Sequence, residues 1–177
     1  MSAVRNEPVA APAPVIFHSV VEDGIFVGVI GASLLAAWFL ILDLMRGHAF
    51  HTPALLGTLV LHGPQAMGSM TAIEPQAVAV YTGIHFASFV MVGIVTSYMW
   101  AQFEHFPILG FVMLVGFAAF EVGFFALDFA LGLHLVGHLS TWSIWVGNLV
   151  AAAGMFAYLR SRHPKAMQGM SRLWSEE

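Results

Sequence analysis

The sequence predicts an all-α integral membrane protein, with four transmembrane helices in an antiparallel up-down bundle and a short interfacial helix between helices 1 and 2. Its composition is the first reason. Of the 177 residues, 59% are apolar and only 9% are charged, whereas about one quarter of the residues in soluble domains are charged. The mean hydropathy is +0.82. The second reason is that four mostly apolar stretches reach the roughly 20 residues needed to cross a bilayer.

The four predicted spans follow from these stretches and from the residues at their ends. They cover residues 24–45, 76–100, 107–131 and 138–158. Pro107 suits the first turn of a helix, and Gly132 suits a helix stop. Ser140 and Thr141 can cap the fourth helix. We therefore expect a single transmembrane domain over residues 1–177.

The segments outside the spans are short. Residues 1–20 predict a mostly irregular leader with an interfacial part, because they lack the apolar core of a signal peptide. Between the first two spans, Thr52 and Pro53 are typical of a helix cap and a first helical residue, and Gly63 ends the apolar stretch. This helix is too short to cross a membrane, so we expect it to lie at the interface.

Positive charges predict the orientation of the bundle. The tail over residues 159–177 is basic, whereas the loop between the second and third spans carries almost no positive charge. The positive-inside rule therefore predicts a cytoplasmic C-terminus and, with four spans, a cytoplasmic N-terminus in a bacterial inner membrane. Arg46, just after the first span, is an exception to this rule, because it would lie on the outer side.

Small residues recur at four-residue spacing along the first span. They are Gly24, Gly28, Ala32 and Ala36. Such a stripe lets helices approach closely. Two interpretations stay open: the stripe packs the helices of this chain together, or it binds other membrane subunits.

The composition also excludes several classes of function. The chain has no cysteine, which excludes disulfides, thiolate metal sites, iron–sulfur clusters and covalently attached haem. Six basic and ten acidic residues give a net charge of −4, so no basic surface for nucleic acid is expected. No phosphate-binding loop or serine nucleophile motif is present.

Polar residues inside the spans are the candidate site. Counted at about 1.5 Å per residue, Glu121 lies near the middle of the third span and Asn148 near the middle of the fourth. We therefore predict a hydrogen bond between them. His85 lies about one turn outward of the middle of the second span. These three residues are the candidates for cofactor binding, and the alternative is that they only pair with other polar groups, His85 with Glu121 or Tyr81.

A second set of polar residues falls in the outer half of the predicted bundle. The candidate metal ligands are Asp128, His134, His138, His48 and His51. Carboxylate oxygen and neutral imidazole suit iron, copper, manganese or zinc. A b-type haem would use His85 as an axial ligand, although a second ligand at matching depth is missing. For Asp128 and Asp43, the alternative is placement at the headgroup region, with Asp43 paired to Arg46.

These features predict a small accessory subunit of a larger membrane complex, of the respiratory or photosynthetic electron-transfer kind, without catalytic activity of its own. The small size and the lack of a polar route through the whole membrane favour this interpretation. No cofactor is expected, and haem b or an iron or copper ion is the alternative. The competing hypothesis is an independent metal- or haem-binding redox protein, or a small transporter, that uses the outer polar set.

Overall fold

The structure is a computed structural model that describes residues 17–103, 106, 108–131 and 140–163. This part of the chain folds into helices and their connections. The helices are α1 (Phe17–Met45), α2 (His51–His62), α3 (Pro64–Met67), α4 (Pro75–Phe103), α5 (Ile108–Leu131) and α6 (Thr141–Arg162). Within it, the four helices α1, α4, α5 and α6 are long and apolar enough to cross a membrane, as the sequence predicts.

Helices α1 and α6 extend beyond the apolar stretches that predict their spans. α1 begins at Phe17 and α6 ends at Arg162. Asp23, near the start of α1, is buried, and its carboxylate lies 3.0 Å from His163 Nε2 and 3.3 Å from Arg162 Nε. The polar residues at these two helix ends contact each other, and a hydropathy profile does not detect such a contact.

Helix α1 is the centre of the fold, because it packs most extensively against α4 and next against α6. A buried cluster holds these three helices together. Its members are Val27, Trp100, Phe103, Met155 and Leu159. Helix α5 joins the edge of this core, where Leu109 and Met113 pack against the same cluster. Farther along α5, Phe124 and Phe125 pack against a second buried cluster, formed by Leu55, Met67 and Ile144.

Glycines set the close approach of α1 to α4. A methyl group added at Gly28 would lie 2.5 Å from the Phe89 carbonyl oxygen and 2.5 Å from the Val90 Cα. One added at Gly24 would lie 2.5 Å from the Ile94 Cα. Both distances are far inside van der Waals contact, so only glycine fits at these two positions without a shift of the backbone.

The small-residue stripe of the first span is therefore used largely within the chain. Gly24, Gly28 and Ala32 are buried, and α4 covers the two glycines. Ala36, the last member of the stripe, is exposed. For the two glycines, the contacts support the interpretation that the stripe packs this chain's own helices.

The short helix α2 is anchored by a carboxylate from the end of α1. Asp43 is 0% exposed; its Oδ2 accepts the Thr52 backbone N–H at 2.7 Å, and its Oδ1 accepts the Thr52 hydroxyl at 2.8 Å. The turn between them passes through Gly47 (φ 80°) and Phe50 (φ 64°), both left-handed. The sequence correctly predicts α2 and its end before Gly63, and the fold explains its start.

Two expectations about this turn are corrected. Thr52 is not the N-cap; Phe50 holds that position, and the helix begins at His51. The side chain of Asp43 does not pair with Arg46, because both of its carboxylate oxygens accept hydrogen bonds from Thr52. A carboxylate is the natural acceptor there, since the first backbone N–H groups of a helix have no partner within the helix.

Candidate functional site

The hydrogen bond predicted between the third and fourth spans is present. Asn148 Nδ2 donates to Glu121 Oε1 at 2.6 Å and so links α6 to α5. Glu121 is 1% exposed, although it lies in the middle of an apolar helix. The prediction is confirmed, and it depends only on equal depth in two consecutive spans. Whether Glu121 and Asn148 bind a cofactor stays a prediction.

Aromatic side chains lie about one helical turn from each member of this polar pair. Phe124 and Phe125 follow Glu121 by three and four residues and so share its side of α5; Trp145 precedes Asn148 in the same way on α6. The Phe125 and Trp145 rings are stacked, with centroids 5.7 Å apart and planes at 16°. The Phe124 ring meets Phe125 edge-on at 5.5 Å. A hydrogen bond and an aromatic stack therefore join α5 to α6.

The second carboxyl oxygen of Glu121 is the most unusual feature of the site. Oε2 is buried and has no hydrogen-bond partner in the part of the chain that the structure describes. Leaving a buried polar atom unpaired costs about 1–3 kcal/mol. In native proteins such an atom needs a specific explanation, for example a bound molecule or a catalytic role.

His85 is held in a different place, between α4 and α1. Its Nε2 lies 3.1 Å from the Ala32 carbonyl oxygen. The Tyr81 ring stacks on the imidazole with centroids 5.7 Å apart, and Phe89 lies 4.8 Å from it. The expected polar pairing with Glu121 or Tyr81 is corrected: Tyr81 contacts the imidazole only by ring stacking, and the hydrogen bond goes to the Ala32 backbone carbonyl. The nitrogen that a haem iron would need is engaged in this bond.

The candidate metal ligands are partly within the described residues. The His48 and His51 rings are neighbours, with centroids 6.4 Å apart. Asp128 is 7% exposed and lies two turns after Glu121 on α5. His134 and His138 lie outside the described residues. Within the described ranges, no three histidine or acidic side chains come together as a metal site, and the metal assignment stays a prediction.

One buried ionic contact was not predicted. Asp23 lies against His163 and Arg162, at the ends of α1 and α6 that meet. A signal for it exists: with four spans, an acid at the start of the first and a base at the end of the fourth lie on the same side. Ser97 Oγ and Trp100 Nε1 were also missed; both are buried without a partner among the described residues.

Replacing His85 by leucine should destabilise the fold only modestly. The variant loses the bond to the Ala32 carbonyl, and such interhelical bonds average about 0.6 kcal/mol in membrane proteins. The free energy of unfolding in mixed micelles is the measurement. Thr82→Val is the matched control, because the Thr82 hydroxyl donates to the Val78 carbonyl of its own helix and, among the described residues, to no other helix. A loss no larger than the control's would contradict the assigned interhelical bond.

Comparisons of this chain with protein family models, with curated proteins and with solved structures find no match. A proposal about its function therefore rests on the contacts between its own residues.

Proposed function

We propose that the chain is a small accessory subunit of a larger membrane complex, of the respiratory or photosynthetic electron-transfer kind, with a structural rather than a catalytic task. The supporting observation is that buried polar side chains tie separate helices together. His85 links α4 to α1, Asp43 links α1 to α2, Asp23 links α1 to the end of α6, and Glu121 links α5 to α6. Polar groups used in this way maintain a helical scaffold.

The proposal includes an antiparallel up-down bundle embedded in a bilayer. Helices α1 and α4 run in opposite directions, because Gly24 contacts Ile94 whereas Ala32, eight residues later, contacts His85, nine residues earlier. A band of large apolar residues on α5 also favours lipid contact. Its most exposed members are Ile108, Phe111, Leu114, Phe120, Val122 and Phe129, the last at 89%. In water such a surface would promote aggregation.

The proposed location is the bacterial inner membrane, with both termini in the cytoplasm. The last turn of α6 carries Arg160 and Arg162, which favours the cytoplasmic side. The contact of Asp23 with His163 supports a common side for the start of α1 and the end of α6. Helix α2, with 12 residues, is too short to span and would lie at the opposite interface. Partner subunits would bind faces other than the one α4 covers.

Gentle extraction of the tagged chain tests the subunit proposal. We expect it to migrate in mild detergent as part of a particle much larger than 19.2 kDa, with partner proteins in fixed ratio. An absorbance spectrum and a metal analysis of the chain separated from that particle complete the test. Isolation as a free protein with a haem band, or with stoichiometric iron or copper, would favour the independent redox protein instead.

Replacing Glu121 by glutamine tests the role of the acid. Glutamine has the same shape and still accepts the Asn148 hydrogen bond, so assembly should be unchanged. If Glu121 serves the complex as an acid and not only as a link between α5 and α6, the activity of the complex falls. The amount of assembled particle and its turnover rate are measured side by side. Glu74→Gln is the control, because Glu74 is exposed and contacts only His62 among the described side chains. Full activity of the Glu121→Gln variant would show that Glu121 has a structural role only.

A further inference from the structure

We propose that Glu121, Asn148 and the neighbouring aromatic rings form a binding site for a lipid-soluble planar molecule with a ring carbonyl oxygen, of the quinone class. The inference rests on the proposed function insofar as the site must lie in a bilayer. It goes beyond that function by assigning a ligand to one oxygen atom, Glu121 Oε2. The site would bind this molecule and would not react with it.

The hydrogen bonds around Glu121 define what the ligand must offer. Oε1 accepts the Asn148 N–H, so the hydrogen of the neutral acid sits on Oε2. A carboxyl at bilayer depth is favoured as the neutral acid when no cation pairs with it, and the ion pairs of the described residues do not include Glu121. Oε2 is therefore an O–H donor that lacks an acceptor among the described residues, and a ligand carbonyl oxygen would supply one.

The surroundings of Oε2 favour a planar apolar ligand over a water molecule. A buried water needs about three polar partners, whereas the next turn of α5 presents Phe124 and Phe125 and the facing turn of α6 presents Trp145. The stacked Phe125 and Trp145 rings form a flat aromatic wall. Aromatic rings prefer offset stacking or edge contact with other rings, so this wall suits a quinone head.

Access to the site is from the lipid. Trp145 is 46% exposed while Glu121 is 1% exposed, so a ligand that arrives from the lipid would meet the Trp145 ring before it reaches the carboxyl group. Because Oε2 itself is covered, entry requires that neighbouring side chains move. A ligand that arrives through the hydrocarbon region must itself be lipid-soluble, as long-chain quinones are.

Binding can be measured by quenching of tryptophan fluorescence in lipid nanodiscs that hold the purified chain. The first probe is a decyl-substituted dimethoxybenzoquinone, and the second is the decyl-dimethoxybenzene of equal size without the two carbonyl groups. We expect saturable quenching by the quinone, and at least tenfold weaker binding of the second probe in a competition assay. This comparison leaves the protein unchanged, so it does not depend on whether a variant folds.

Variants then localise the site. Glu121→Leu should weaken quinone binding at least tenfold, whereas Glu121→Gln, which keeps an N–H donor at this position, should weaken it less. Trp145→Phe should remove the saturable quenching while collisional quenching of the other tryptophans persists. Quenching that never saturates, equal affinity for both probes, or unchanged binding in Glu121→Leu would overturn the inference. None of these results bears on the size of the native particle, so the subunit proposal is tested separately.

Discussion

Replacing Gly28 by alanine should destabilise the chain by about 1–3 kcal/mol, the usual cost of overpacking a tight interior. The added methyl group would lie 2.5 Å from both the Phe89 carbonyl oxygen and the Val90 Cα. These are backbone atoms of α4, which no side-chain rotation can relieve, so α1 and α4 must move apart. Unfolding in mixed micelles, followed by circular dichroism, gives the free energy.

Gly83 supplies the matched control for this prediction. Gly83 lies in α4, the helix that packs against Gly28. A methyl group added at Gly83 would meet nothing within 4 Å among the described residues. Alanine is favoured over glycine in a helix interior by about 1 kcal/mol. Gly83→Ala should therefore be neutral or stabilising. If Gly28→Ala behaved like Gly83→Ala, the close packing of α1 on α4 would be wrong.

Replacing Asp43 by alanine should cost about 2 kcal/mol and loosen α2 selectively. The change removes the acceptor of both the Thr52 N–H and the Thr52 hydroxyl, and unpaired buried donors are costly. Hydrogen exchange of the α2 amides should rise more than that of α1 or α4. The free energy of unfolding and the exchange rates are measured on the same samples.

A double-mutant cycle isolates this contact. Asp43→Ala, Thr52→Val and the double variant should show a coupling energy of about 1 kcal/mol. Asp43→Asn should recover part of the loss, since the amide oxygen still accepts the Thr52 N–H. Additive effects of the two single changes would show that Asp43 does not anchor α2.

The sequence predicts much of this fold because the hydrocarbon thickness fixes the length of each apolar span. Depth counted along consecutive spans also predicts the Glu121–Asn148 bond, since two polar groups at equal depth in neighbouring helices have few other partners. The use of Gly24 and Gly28 was one of two open interpretations. Sequence alone does not decide it, because a small-residue stripe suits any helix that approaches it.

The contacts that the sequence does not predict involve acceptors without a sequence signature. His85 binds the backbone carbonyl of Ala32, and every residue type offers such a carbonyl. Asp43 reaches Thr52 only because the chain turns through a left-handed Phe50, which is uncommon for a side chain of this size. The aromatic wall at Trp145 likewise depends on how α5 and α6 rotate about their axes, which spacing within one helix does not determine.

The most direct test of the account is a distance measurement on the Glu121 carboxyl in a bilayer. The chain has only two asparagines, Asn6 and Asn148, so in an Asn6→Gln background ¹⁵N-labelled asparagine marks Asn148 alone. Solid-state NMR then measures the dipolar coupling between its side-chain nitrogen and ¹³C-labelled glutamate carboxyl carbons. We expect a strong coupling, consistent with the 2.6 Å hydrogen bond, that disappears in Glu121→Leu. Absence of this coupling in lipid would contradict the assignment of a buried carboxyl–amide pair between α5 and α6.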